Sequence, residues 1–239
     1  MMKTLFALAF FSLFPGAGAQ VLVRSYFEAG SNNASEGTFL MHSTGLEYGL
    51  NQYVLAAHME FGMISNPGNV LTGVHVHGSR SFPVQGFPVD VKGHYILNRF
   101  SDLMRETNWG LAVNTKKWDH FFLELGTNFK TYALNRHARE IYDTEPADSR
   151  LRENFNLIYT FSGYLKPHNH QWNIGLSCTN TDEYMINQST NPLFNLQIKY
   201  LIRPELTVFL DSWYKSAGIF NISANYFGYF FRTGIKWEL

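Results

Sequence analysis

The segment Val74-His75-Val76-His77-Gly78-Ser79 sets imidazole, imidazole and hydroxyl on alternate residues, which in an extended strand point the same way. His77 and Ser79 have the types needed for a base and a nucleophile, and Asp90 on the next apolar segment is a group able to orient the imidazole. His58 and Glu60 precede this run, while Lys92 and His94 follow Asp90. His58, His75 and His77 are also zinc- or nickel-binding residue types, and side chains two apart on a strand can both reach one ion. A third chemistry needs neither nucleophile nor metal. Clustered imidazoles change charge near neutral pH and would make a polar surface sensitive to acidity. Choosing among these depends on the elements that carry the residues and the face each presents.

Those elements read as strands. Period-two alternation dominates the chain and divides it into twelve segments: 20–30, 38–50, 53–64, 70–80, 88–100, 107–115, 118–133, 150–165, 170–182, 192–203, 205–216 and 225–239. Most reach the roughly 9–11 residues that a tilted strand needs to cross a bilayer, whereas strands of soluble proteins are nearer 5–6. Short turns at Leu50-Asn51-Gln52, Thr115 to Trp118, Lys166 to His170 and Arg203-Pro204-Glu205 alternate with longer polar loops such as 134–149. Short turns at one end and long loops at the other are how bacterial membrane barrels are built. Two joints depart from that rhythm: Ser65 to Asn69 is short for an outer loop, and Ser81 to Phe87 is long for an inner turn. The expected fold is all-β, a transmembrane antiparallel up-and-down barrel of about twelve strands (ten to fourteen).

Composition agrees. Charged residues make up 16% and aromatics 16%, against a usual charged quarter, yet mean hydropathy is slightly negative. That combination suits a lipid-facing surface around a polar interior. Net charge is zero, so no electrostatic case exists for nucleic acid. The N-terminus reads as a secretory signal over 1–19, with Lys3, the apolar Leu5 to Phe14, and Ala17-Gly18-Ala19 before a cut at Gln20. The barrel would occupy 20–239. Cys178 is the single cysteine and reads as a small apolar side chain on a strand.

Alternation also assigns faces. In the last strand Phe227, Tyr229, Phe231, Ile235, Trp237 and Leu239 oppose Arg232, Lys236 and Glu238. Lipid outside places the second set within the barrel. By the same rule the lumen holds His58, Glu60, His75, His77, Asp90, Lys92, His94, Glu124, Arg152, Lys199, Asp211 and Arg232, with Arg24, Glu28, Glu47, Lys130, Lys215 and Lys236 beside them. Both signs are interleaved, as in a wall that pairs its own charges or lines a narrow polar passage. Trp118, Trp172 and Trp237 fall near the ends with short turns, at the interfacial level that aromatic rings prefer.

The closing residues Gly234-Ile235-Lys236-Trp237-Glu238-Leu239 resemble the final strand of bacterial outer-membrane barrels, which alternates aromatic and apolar residues up to the chain end and is read by the insertion machinery. This sequence ends in Leu where Phe is commoner. The resemblance implies outer-membrane insertion in a Gram-negative bacterium, with outer-membrane lipids and that machinery as partners, and is silent on substrate. The His77-Gly78-Ser79 run also resembles the His-x-Ser of outer-membrane phospholipase A and lipid A deacylases, which implies acyl-ester hydrolysis by Ser79, His77 and Asp90. Two readings oppose it: Val74 and Val76 turn His77 and Ser79 inward, and Ser79 lies near the periplasmic turn. The expectation is therefore a non-enzymatic barrel without a cofactor, serving as a narrow pore or binding protein for small polar solutes, or as a wall component. An acyl hydrolase, or an adhesin or assembly partner working through the outer loops, is the alternative.

Overall fold

The computed structural model describes residues 19–32, 38–63, 71–99, 104–118, 120–134, 136–141, 150–166, 170–181, 192–215 and 228–239. The segment 1–18, which carries most of the expected signal, and residues 142–149 of the long loop lie outside the described residues. Twelve strands form one closed antiparallel barrel. They are β1 (Ala19–Asn32), β2 (Thr38–Leu50), β3 (Tyr53–Gly62), β4 (Leu71–Val84), β5 (Phe87–Arg99), β6 (Met104–Trp118), β7 (Phe121–Leu134), β8 (Arg150–Tyr164), β9 (Trp172–Thr179), β10 (Leu193–Arg203), β11 (Leu206–Lys215) and β12 (Gly228–Glu238). Each pairs with its sequence neighbours, and β12 closes on β1 from Leu22↔Glu238 to Asn32↔Gly228. Closure satisfies the backbone of both terminal strands, the condition a sheet must meet in lipid.

Alternation sets the faces. Along β8, Phe155, Leu157 and Phe161 are 68%, 72% and 53% exposed, whereas Ile158 between them is 3% exposed. On β1, Glu28 is 1% exposed beside Phe27 at 50%. A soluble sandwich buries its large apolar side chains; here they stand outside and the carboxylates and amides stand within. No helix among the described residues is long and apolar enough to cross a membrane.

The ends with short connections carry tight turns. Asn51 and Gln85 adopt left-handed φ values of 53° and 49°, and Gly86 follows Gln85 at 80°. Two consecutive left-handed residues make the two-residue hairpin whose twist matches that of paired strands. This corrects the reading of 81–87 as a long inner turn. β4 continues to Val84, and Pro83 faces Pro88 across a hairpin that turns only at Gln85-Gly86. A proline pair can end a ladder this way because that stretch of hairpin runs past the ends of the flanking strands, where no backbone donor is required. The loop 134–149 contains a short helix, α1 (Arg136–Ile141), whose Ala138 is fully buried.

The seam between β8 and β9 is the shortest in the ring. Register runs only from Thr160↔Thr179 to Tyr164↔Gly175, and β9 has just 8 residues. Beyond it the Asn180 side chain continues the ladder. Its Oδ1 accepts from the Tyr159 N–H at 2.7 Å, its Nδ2 donates to the Leu157 carbonyl at 2.7 Å, and its own N–H donates to the Tyr159 carbonyl at 3.2 Å.

Candidate functional site

The inward face is the candidate site, and the register divides it into three arcs. On β3, β4 and β5, His58 lies opposite His75, and His77 opposite His94. The His75 Nε2 sits 3.5 Å from Glu60 Oε2 and 3.2 Å from Asn98 Oδ1. With oxygen acceptors on both sides, Nε2 carries the proton. His94 Nε2 meets Asn108 Oδ1 at 3.3 Å, and the His58 ring packs edge-on to His77 with centroids 5.4 Å apart. Glu60, His75 and Asn98 are all buried, so this is a bonded polar layer of the wall.

The second arc, on β6, β7 and β8 with contacts reaching β5 and β9, is rich in amides. Lys130 Nζ lies 3.6 Å from Glu106 Oε2, both side chains buried. Lys92 Nζ lies 3.6 Å from Glu124 Oε2, in a more open position. Asn156 donates to Asn128 Oδ1 at 3.0 Å, and the hydroxyls of Thr160 and Thr179 meet at 2.9 Å across the short seam. Charges here are balanced locally, which keeps the cost of burial down.

The third arc, on β10, β11, β12 and β1, combines cations with aromatic rings. Arg232 reaches Glu28 Oε2 through Nη2 at 2.7 Å and Nε at 2.8 Å. Its guanidinium carbon lies 4.6 Å from the centre of the Tyr26 ring. Arg24 sits 5.0 Å from both Tyr26 and Phe209, directly opposite Lys236 in the register. Asp211 pairs in register with Arg232 and accepts from Gln197 Nε2 at 2.9 Å. Trp213 stacks on Phe230 at 5.6 Å with planes 16° apart. Guanidinium groups on ring faces satisfy a cation without a second carboxylate.

The register places eleven of the expected lumen residues on the inward face. His58, Glu60, His75, His77, Asp90, Lys92, His94, Glu124, Lys199, Asp211 and Arg232 all alternate with exposed apolar neighbours. Arg152 is opposite Tyr132, and its side chain lies outside the described residues. The three groups of the hydrolase set are spread along the wall. Ser79 faces Lys92 and His77 faces His94, while Asp90 faces Ser81 and accepts its hydroxyl at 2.5 Å. Asp90 is thus four residues further down the ladder than His77. Among the described residues no three His, Cys, Asp or Glu side chains gather where they could hold a metal ion, His58, His75 and His77 included.

Two features escaped sequence reasoning. The inward rings Tyr26, Phe209, Trp213 and Phe230 interrupt the polar pattern of their strands, and scoring that pattern as polar against apolar passes over them. A serine–histidine contact exists on the opposite face: Ser25 Oγ and His42 Nε2 are 3.0 Å apart, with the imidazole beside Phe27 at 4.9 Å. It joins residues seventeen apart, and only the β1–β2 register brings them together.

No protein-family model matches the chain, and no curated protein matches it in sequence. Solved structures share the fold. An outer-membrane channel of the COG4313 group from Pseudomonas putida F1 superposes with a TM-score of 0.54 at 11% identity, over 93% of this chain and 96% of that one. The KdgM porin gives 0.53 at 11%, over 90% and 98%. The NanC porin gives 0.52 at 12%, over 90% and 100%. The architecture is that of bacterial outer-membrane β-barrels, and at these identities the likeness concerns the fold alone.

Proposed function

We propose that this protein lies in a bacterial outer membrane and forms a narrow pore for small polar solutes. One observation carries the reading: a closed ring of twelve strands with apolar side chains outside and, on every arc of the inside, hydrogen-bonded groups of both charge signs. Such an interior offers a hydrated solute replacement partners for its water. Its balanced charge gives no strong preference for either sign at long range. The near-complete burial of Glu28, Glu106, Asn108 and Asp211 shows an interior crowded with side chains at those points, so a passage beside them would be narrow. The COG4313 channel and the two porins share this architecture, which supports the same reading.

The test is single-channel recording in planar bilayers, paired with solute-driven swelling of proteoliposomes. Small, discrete conductance steps and swelling that falls off with solute size are expected. A fully folded, inserted barrel that shows neither current nor swelling would remove the pore.

A further inference from the structure

Arg80 is out of place on its face. It alternates with Val76 and Gly78 on the outer side of β4, the side that the membrane reading assigns to lipid. Around it, the outward positions of β2, β3 and β5 carry no carboxylate among the described residues: Tyr48 and Leu50, Tyr53 and Leu55, Val89 and Val91. The guanidinium is held by rings. Its carbon lies 5.1 Å from the centre of Tyr53 and 4.7 Å from that of Phe82. A guanidinium stacked on aromatic faces keeps its N–H donors at its edge, free to grip an oxyanion in its own plane. Arg80 pairs with Tyr53, the first residue of β3, so it sits at the level of the short turns. There, near the interface, an outward arginine costs far less than it would at the bilayer midplane.

Two residues toward the membrane centre, Gly78 and Gly93 stand directly opposite one another, both facing outward. Inward glycines such as Gly126 and Gly234 are forced, because a Cβ there would collide with the backbone of the partner strand. At Gly78 and Gly93 nothing in the protein forbids a side chain. The nearest atoms to an added Cβ are 3.7 Å away at Gly78 and 3.6 Å away at Gly93, ordinary contacts. Glycine weakens a strand, so a pair of unforced glycines leaves a trough in a wall otherwise built from Leu55, Val76, Val91 and Leu111. A surface cavity of about 470 Å³ opens at Arg80 and Gly78, lined also by Tyr48, Tyr53, Leu55 and Val91, and Gly93 stands beside it across from Gly78.

We infer that this is a binding site for one phospholipid of the periplasmic leaflet. Its anionic phosphate lies against Arg80, and one acyl chain runs over Gly78 and Gly93. The cation meets the phosphate at headgroup height, and the trough continues from it into the apolar band, which is the shape of the molecule it holds. The inference rests on the barrel spanning a membrane but not on its being a pore.

The experiment is native mass spectrometry of the full chain released from vesicles of phosphatidylethanolamine and phosphatidylglycerol. Insertion and folding are checked separately by the heat-dependent shift in gel mobility. The wild-type barrel is expected to retain one phospholipid, with phosphatidylglycerol favoured. Arg80→Ala should lower the retained fraction roughly tenfold, as for loss of a charge-assisted contact, and Arg80→Lys less. Gly78→Val with Gly93→Val fills the trough with residues that suit a strand and should lower retention by a similar factor while folding persists. Retention unchanged in either variant overturns the site. So does displacement of the lipid by inorganic phosphate, which would make Arg80 a site for free anions. Failure of the wild-type chain to insert would instead defeat the membrane reading itself.

Discussion

The Asn180 side chain does for Tyr159 what another residue of β9 would otherwise do: it accepts the Tyr159 N–H at 2.7 Å while the Asn180 N–H returns to the Tyr159 carbonyl. With only a short register between β8 and β9, these bonds terminate the shortest seam of the ring. An unpaired backbone group in hydrocarbon is costly, so this end of the seam leans on the Asn180 amide, as the other end leans on Asn173 against the Lys166 backbone. Asn180→Ala is expected to lower barrel stability by about 2–3 kcal/mol, two lost bonds at roughly 1–1.5 each. Urea unfolding in vesicles measures this, and hydrogen exchange at Tyr159 should quicken locally. Exchange at Tyr159 no faster than in the parent would show that the seam closes without it.

The twelve strands and their faces were legible because a wall between lipid and a polar lumen enforces period two on nearly every residue. Where that constraint relaxes, legibility ends. Pro83 and Pro88 disguised the β4–β5 hairpin as a loop, since proline is a strand breaker wherever a neighbouring strand needs its N–H, and here none does. The helix at Arg136–Ile141 carries charges throughout and shows no apolar stripe from which to read it. The contacts Asn180–Tyr159 and Ser25–His42 depend on register, which alternation does not fix: a slip of two residues would preserve every face and break both.

The β4–β5 turn gives a second prediction. Gly86 at φ 80° has no protein atom near its missing Cβ, so the constraint on it is purely conformational. Gly86→Ala is expected to cost about 1 kcal/mol through the left-handed backbone alone. Gln85 occupies a similar φ of 49° with a side chain that gains nothing from it. Gln85→Asn should therefore stabilise by a few tenths of a kcal/mol, since asparagine tolerates that region. Chemical unfolding midpoints of both variants check the pair. Equal midpoints for Gly86→Ala and the parent would mean that the turn is free to change type.

His42 is a polar ring on the lipid-facing wall, set between Phe27 and Phe61 and bonded to Ser25. Removing only the hydroxyl leaves the imidazole nitrogen facing hydrocarbon, so Ser25→Ala should destabilise by roughly 1–3 kcal/mol. Replacing both partners removes the unmet group. Ser25→Ala with His42→Phe should recover most of the loss, because phenylalanine continues the surrounding rings. If the double variant is no more stable than Ser25→Ala alone, the contact is not what makes a histidine tolerable there.

Glu28 and Arg232 bear on both the wall and the proposed passage. Glu28 is 1% exposed and takes two guanidinium nitrogens on one oxygen, while the guanidinium rests on Tyr26. Glu28→Ala takes the bonded carboxylate from a buried cation and is expected to cost about 3–5 kcal/mol, whereas Glu28→Leu with Arg232→Met should cost far less, since an apolar pair of similar volume needs no desolvation. Stability alone does not separate a wall brace from part of a passage, but conductance does. In a narrow pore, Glu28→Ala with Arg232→Ala takes two long side chains out of the lumen and should raise the single-channel current. The Leu/Met pair keeps the volume and removes the charges, so it should leave the current low and alter its ion selectivity. Were the Ala pair to fold, insert and conduct like the parent, the arc formed by β12 and β1 would lie outside the conduction path, and the tight point would belong to the buried Glu106–Lys130 arc across the barrel.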